Sequence, residues 1–257
     1  MKRTAFLLTF LAYSGMSILC GCATHTPTTA HTHIGHAMAG WPDTPNQEGL
    51  FVAAENAAQA ALQAAENATN KQNGLPEIRQ DVSRVIRYTN PEEDLDQEEE
   101  DGKQYGVKNA LTGAVNHITY AAQSPDASAN VKSFAPEFAT DASFVLDRCD
   151  LITALGNDIL QASSENEADV LSGELLKLVR TNVYGNDSNG DGVMGSSPKE
   201  YGLKQLRAKL EAMIDREDPP YETVDTWYLF NLVRLPSGEW IFRQLSSPGS
   251  GKKYGGY

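Results

Sequence analysis

The sequence has few cysteines and few cationic residues, and it lacks the short motifs of the common catalytic and cofactor sites. Its three cysteines contain no CxxCH pattern, which excludes covalent attachment of a c-type haem. The G-x-S-x-G, H-E-x-x-H, phosphate-loop and dinucleotide-binding patterns are also absent. Acidic residues are so common that pairs of carboxylates carry no information about catalysis. We therefore predict a noncatalytic protein.

The shortage of positive charge argues against nucleic acid as a partner. Lysine and arginine together number 21 against 34 aspartates and glutamates, and the net charge is −13. A surface of this charge repels phosphates and anionic lipid headgroups. It favours cations, or a basic protein, as binding partners.

The first residues have the order of a bacterial secretion signal. Two basic residues precede an apolar stretch, residues 5–19, which is shorter than the about 20 residues that a transmembrane helix needs. The sequence LCGC at 19–22 then resembles the lipobox of bacterial lipoprotein precursors, with Cys22 as the lipid acceptor. The resemblance implies that residues 1–21 are removed as a signal peptide and that the lipid anchors the chain in the cell envelope. A retained anchor helix is the alternative.

This resemblance also bears on location and on the remaining cysteines. Ala23 after the anchor is compatible with transfer to the outer membrane, facing the periplasm. A mature chain would keep Cys22 and Cys149, so that a lipidated protein has no internal disulfide and depends on its core for stability. Cys149 lies in a predicted helix, and we expect a buried structural thiol.

The middle of the chain predicts a mainly α fold, an antiparallel helical bundle over residues 32–164. Residues 22–31 precede it as the lipidated cysteine and a flexible tether, because they are rich in Thr, His and Pro. Alanines at helical spacing begin at Leu50, and the helical period continues through four helices joined by short loops. We expect the following helix limits: 50–68, about 76–90, 105–123 and 127–163, with Pro136 kinking or dividing the last.

Three further segments are distinguished by composition. Residues 92–101 are almost all acidic and predict a solvated loop, with weak cation binding as the alternative. Two aromatic and β-branched runs in 218–245 surround a Pro-Ser-Gly-Glu turn and predict a β-hairpin that lies against the helices or a partner. Residues 246–257 predict a disordered tail.

A glycine-rich loop between two more predicted helices, within residues 165–217, resembles the EF-hand calcium loop. Residues 187–192 read DSNGDG, which fits the pattern D-x-[DN]-x-[DN]-G. Calcium takes six to eight oxygen ligands, so alternate positions must offer oxygen, and a glycine at the sixth position permits a sharp turn. The resemblance implies side-chain ligands and one backbone carbonyl from Asp187, Asn189, Asp191 and Val193.

The far end of this loop departs from the EF-hand pattern. Position twelve is Pro198 instead of glutamate, and Glu200 follows two residues late. Either Glu200 reaches back to the ion or water replaces the missing carboxylate, and we expect weak binding, about 10⁻⁴ to 10⁻³ M. The alternative is an ordinary Asn/Asp/Gly turn without an ion.

The five histidines suggest a second possible metal site. Four of them, His25, His31, His33 and His36, precede the first long helix, and the fifth is His117. On a helix His33 and His36 would share one face, and together with His117 they would bind zinc, copper or haem iron if the fold brings them together. Solvated histidines near the tether and a satisfied His117 are the alternative.

The primary functional prediction is a lipid-anchored, noncatalytic cell-envelope protein that binds calcium and contacts another envelope protein. The alternative is a histidine-based transition-metal or noncovalent haem protein for metal handling or electron transfer. An envelope hydrolase has only the abundance of acidic residues in its favour. The sequences HIGHAMAGWPDTPNQEGL (33–50), ASANVK (127–132) and DSNGDG are similar to uncharacterised secreted helical proteins of bacteria, a resemblance that implies no activity.

Overall fold

The computed structural model describes residues 28–70, 74–91, 105–218 and 221, and the backbone of three short strands. The predicted mainly helical bundle is confirmed. Its helices are α1 (Thr29–Met38), α2 (Leu50–Ala68), α3 (Leu75–Thr89), α4 (Val107–Gln123), α5 (Ala129–Gln161), α6 (Glu165–Tyr184) and α7 (Leu203–Ile214), with 3-10 turns at Pro45–Gln47 and Pro198–Glu200.

Helix α2 is the alanine-rich helix that the sequence predicts, and it packs against α3, α4 and α6. Its buried residues are mostly alanines: Ala53, Ala54, Ala57, Ala58, Ala61, Ala64, Ala65 and Ala68. Alanine loses no side-chain entropy in a helix, and its small size lets neighbouring helices approach closely. Composition therefore supports both the helix and its central place in the bundle.

Helix α5 is the longest helix and contacts α3, α4, α6 and α7. The expectation that Pro136 divides it is wrong, because one helix runs from Ala129 to Gln161. Pro136 has no N–H to donate to the Lys132 carbonyl one turn earlier, so the helix lacks one backbone hydrogen bond here. Phe138, two residues after the proline, is fully buried against Phe51 and Phe134, and this packing supports the helix on both sides of Pro136.

Helix α1 begins earlier than the predicted tether allows. Residues 29–31 belong to the helix, and Thr28 is its N-cap. The buried side chains of Ile34, Ala37 and Met38 dock α1 onto α4 and α2. Apolar residues at helical spacing thus bury one face of a histidine-rich segment.

Several sequence predictions fall outside the described residues. These are the lipobox and Cys22, His25, the acidic run 92–101 and the tail 246–257. Strands β1 (Asp225–Trp227), β2 (Leu232–Arg234) and β3 (Trp240–Phe242) pair in antiparallel order. The segments that join them are not among the described residues, so the hairpin and its packing stay a prediction. Among the described helices, none combines the length and apolarity of a membrane span.

Candidate metal site

The position of α1 is fixed at its N-terminus by two polar caps. The Thr28 hydroxyl accepts a hydrogen bond from the His31 backbone at 3.0 Å. The carboxylate of Asp126, in the turn between α4 and α5, accepts from the backbone N–H groups of Thr29 at 2.7 Å and Ala30 at 3.1 Å. These bonds satisfy donors that a helix start leaves unpaired. They also connect α1 to the end of α4.

Helices α1 and α4 bring His33, His36 and His117 together. His33 and His36 lie one turn apart on α1, and His117 faces them from α4. The Nδ1 atoms of His33 and His117 are 3.1 Å apart. One ring nitrogen from each histidine lies within 4.8 Å of the others, and among the described residues this is the one such group of three. The fold thus brings together the three histidines whose convergence the sequence leaves open.

The environment of the triad favours neutral imidazoles. Burial, with the nearby imidazoles His117 and His33, lowers the pKa of His36 to about 4. Burial and His33 lower the pKa of His117 to about 4 as well. Burial also lowers the pKa of His33, although the charge of Asp126 partly offsets it. A neutral imidazole has the free lone pair that binds a metal ion.

His36 has an unsatisfied ring nitrogen. Its Nδ1 atom is buried and makes no hydrogen bond within the described part of the chain. A buried polar atom without a partner carries a desolvation cost, about 1 to 3 kcal/mol. Such an atom beside two other imidazoles is a position where an ion would restore a bond.

Trp41 covers one side of the triad. Its ring centroid lies 4.8 Å from that of His36 and 4.8 Å from that of His117. The loop that carries it is closed by the Trp41 backbone, which donates to the Glu48 carbonyl at 3.1 Å, and by the Thr44 hydroxyl, which bonds to the carbonyls of Trp41 and Glu48. The loop therefore holds the indole against the imidazoles.

A close backbone approach at Gly49 anchors the same loop. A Cβ atom at this position would lie 2.3 Å from the carbonyl carbon of Met38. Only glycine fits where the end of α1 meets the start of α2. The glycine thus fixes the distance between the histidine helix and the rest of the bundle.

Tyr120, one turn after His117 on α4, flanks the triad beside His33 and His117. Its ring centroid is 5.6 Å from that of His33 and 5.8 Å from that of His117. The side chain is 48% exposed. Neither Trp41 nor Tyr120 is among the site residues predicted from sequence. For Tyr120 the spacing of three residues from His117 was a signal, because it places both side chains on one face of a helix.

Comparisons with protein-family models, curated proteins and solved structures find no match to this chain. The geometry of the site therefore carries the functional argument.

His31 lies on α1 but outside the triad. Its Nε2 is 3.6 Å from a carboxylate oxygen of Glu217, and its ring meets Tyr221 edge-on. Glu217 also accepts hydrogen bonds from Ser128 and Asn130. Burial raises the pKa of Glu217, but the nearby His31 imidazole and the hydrogen bonds from Asn130 and Ser128 lower it more. This cluster ties α1 to the region after α7 and to the start of α5.

The calcium-loop residues lie between α6 and α7, as the sequence predicts. Asp187 accepts hydrogen bonds from the backbone of Gly190, Asp191 and Gly192. Asn189 accepts from the backbone of Asp191 at 2.8 Å, and Asp191 accepts from Val193 at 2.8 Å. Gly192 adopts a φ of 83°, the left-handed conformation that a sharp turn requires. The loop is thus shaped by its own carboxylates and amides.

Glu200 reaches back across this loop, but its oxygens bind protein donors. Oε1 accepts from the backbone and hydroxyl of Ser188 and from the backbone of Asn189. Oε2 accepts from the backbone and hydroxyl of Ser196 and from the backbone of Ser197. Burial raises the pKa of Glu200, whereas the hydrogen bonds, led by that of Ser196, lower it to about 2. The structure therefore shows Glu200 as the carboxylate that closes the loop.

Cys149 is buried, as expected from the sequence. Asn182 donates to its sulfur at 3.2 Å, and burial raises the pKa of the thiol to about 11. Neighbouring Arg148 donates to the side chain of Asn182 and to the carbonyls of Lys199 and Tyr201. The cysteine thus belongs to a structural contact that joins α5 to α6 and to the end of the calcium-like loop.

Proposed function

We propose that this protein binds a divalent transition-metal ion, with zinc or copper as the best fit, at His33, His36 and His117. The proposal rests on one observation. Three imidazole nitrogens, contributed by two different helices, lie within 4.8 Å of one another. Imidazole suits zinc, copper, iron and nickel, and the absence of thiolate from this group favours zinc or copper(II) over copper(I).

The spacing of the ring nitrogens supports a tetrahedral arrangement. Zinc–nitrogen bonds of about 2.0 to 2.1 Å at tetrahedral angles place two ligand nitrogens about 3.3 Å apart. The His33 and His117 Nδ1 atoms are 3.1 Å apart. The three ligand nitrogens together lie within 4.8 Å, so binding one ion would draw the rings closer together.

A single ion fits this site better than haem. The ring centroids of the three histidines lie 4.8 to 5.9 Å apart. Trp41 packs against two of them, at 4.8 Å from each. A porphyrin between the imidazoles would require this contact to open, so metal handling is the stronger form of the histidine hypothesis.

Titration of the metal-free protein with zinc and with copper(II), followed by elemental analysis after gel filtration, tests the proposal. We expect one ion per chain in the wild type and loss of most of the affinity in His33→Ala, His36→Ala and His117→Ala. The matched control is His31→Gln, which changes a histidine on the same helix outside the triad. A wild-type protein that retains no metal, or triad variants that bind like the wild type, would refute the proposal.

We also propose weak calcium binding by the loop between α6 and α7. The favouring observation is that Asp187, Asn189 and Asp191 are oriented around Gly192 by backbone hydrogen bonds. Their remaining lone pairs are available to an ion, and water would supply the ligands that Glu200 does not. A carbonyl of Val193 completes the proposed set.

Thermal unfolding with calcium or chelator tests this second site. We expect millimolar calcium to raise the melting temperature of the wild type and to leave Asp187→Ala/Asp191→Ala unchanged. Asp158→Ala/Asp169→Ala, which removes two acidic residues outside the loop, serves as the charge control. A wild-type melting curve that ignores calcium and chelator alike would show that the loop is an ion-free turn.

We propose that the chain is exported and anchored to the cell envelope through a lipid on Cys22, with the outer membrane facing the periplasm as the site. The support is the lipobox-like sequence LCGC at 19–22. Fatty-acid labelling and membrane fractionation test it. The wild type should carry label and sediment with membranes, and Cys22→Ser should do neither; equal labelling of both would contradict the anchor.

A further inference from the structure

Among the described residues, the three histidines would fill three of the four positions of a tetrahedral ion. Zinc in a structural site takes four protein ligands, whereas an open site takes three and a solvent molecule. Within the described residues, no fourth histidine, cysteine, aspartate or glutamate atom joins the group of His33, His36 and His117. The following inference rests on the proposed metal site.

The surroundings of the triad differ from one side to the other. Trp41 lies against His36 and His117. Its indole is a hydrogen-bond donor only and has no lone pair for a metal. This side of the site is therefore closed by a ring that cannot act as a ligand.

Tyr120 lies beside His33 and His117, with its ring centroid 5.6 and 5.8 Å from theirs. Its side chain is 48% exposed, so this flanking ring is in contact with solvent. A tyrosine binds a metal ion strongly as a phenolate, which requires loss of its proton. A small ligand from solvent can bind the metal without losing a proton. It can approach the triad beside the exposed Tyr120 ring.

We infer that the metal ion at this triad keeps an exchangeable coordination position on the Tyr120 side, which takes a small monodentate ligand such as water or a small anion. The site would then resemble an open site more than a closed structural one. The aromatic rings of Trp41 and Tyr120 limit the size of the incoming ligand. The expected ligand is a small molecule or anion that binds the metal through one atom, and azide is a suitable probe.

Cobalt(II) reports coordination through its visible absorption and replaces zinc in nitrogen sites. We expect the wild-type protein with cobalt to give a band that changes saturably with azide, at one azide per cobalt, while gel filtration shows that the cobalt remains bound. Tyr120→Phe should give the same cobalt band and the same azide response. His117→Ala should give no cobalt band, which establishes that the band reports the triad.

Three results would overturn the inference in distinguishable ways. A wild-type cobalt band that azide leaves unchanged would show a closed site and would leave the metal-binding proposal intact. An azide response that appears only in Tyr120→Phe would show that the phenol occupies the fourth position. Absence of any cobalt, zinc or copper binding by the wild type would remove the metal site itself.

Discussion

Removal of the Asp126 carboxylate tests whether the capping of α1 holds the histidine helix in place. Helix α1 has ten residues, which is too short for a helix to be stable by itself in water. Its docking therefore depends on packing and on the two bonds that Asp126 accepts from Thr29 and Ala30. Asp126→Ala removes both bonds and the negative charge at the helix start.

The expected loss of stability in Asp126→Ala is the sum of a lost cap and a lost charge. A lost N-terminal cap costs about 1 kcal/mol, and a negative charge near a helix N-terminus contributes about 0.3 to 1 kcal/mol where it is exposed. Asp126 and Thr29 are exposed, so water replaces part of what is lost. We expect destabilisation by about 1 to 2 kcal/mol, which lowers the melting temperature of a domain of this size by about 2 to 8 °C.

The pKa of Asp126 supplies a second readout. Desolvation raises this pKa, but the backbone N–H groups of Thr29 and Ala30 lower it more, so the net shift is downward. The stabilisation is therefore present above the ordinary pKa of an aspartate and is lost as the pH falls through the lowered value. In Asp126→Asn the stability of the protein should depend less on pH over this acidic range.

Thermal unfolding combined with hydrogen exchange at the Thr29 and Ala30 amides measures the effect. Asp158→Asn, on the exposed face of α5, is the matched control for Asp126→Asn. If Asp126→Asn and Asp126→Ala unfold like the wild type and both amides stay protected, packing alone holds α1. The Asp126 cap then contributes nothing to its stability.

Three other predictions concern the histidine triad, the end of the Trp41 loop at Gly49, and the Cys149 thiol. With pKa values of about 4 for His36 and His117, below the unfolded value of 6.5, the metal-free protein should lose stability as the pH falls from 6.5 towards 4; a melting temperature constant between pH 7 and 5 would contradict this. Gly49→Ala should destabilise by about 1 to 3 kcal/mol in chemical denaturation because its Cβ would strike the end of α1, whereas Gly173→Ala, which meets nothing within 4 Å, should not destabilise. Cys149 should react with a thiol reagent only after unfolding, and rapid labelling of the folded protein would refute its burial.

The helices from α2 onward were predictable because local sequence and packing agree there. Alanines dominate α2 from Leu50, and α3 ends at Thr89, before the Asn90-Pro91 pair that predicts its end. Helix α1 was not among the predicted helices, because Thr and His in its first turn disfavour helix and Asp126, distant in sequence, supplies a cap. Pro136 does not divide α5, where Phe138 is packed in the core beside it.

The candidate site was only partly predictable. The spacing of His33 and His36 predicts a shared face, but no sequence pattern links them to His117 on another helix. The separation of His31 from the triad follows from helical spacing instead, because at about 100° per residue His31 lies on another face of α1 from His33 and His36. Its ring lies near Glu217. The enclosing ring of Trp41 depends on a loop whose shape is set by contacts between distant backbone atoms.

X-ray absorption spectroscopy of the zinc-loaded protein identifies the atoms bound to the ion. Zinc held by the triad should show three imidazole nitrogens at about 2.0 to 2.1 Å, with the outer-shell scattering of histidine rings. His117→Ala should lose one imidazole from this shell or fail to retain zinc. A first shell made only of oxygen, or one containing sulfur, would contradict a metal site built from His33, His36 and His117.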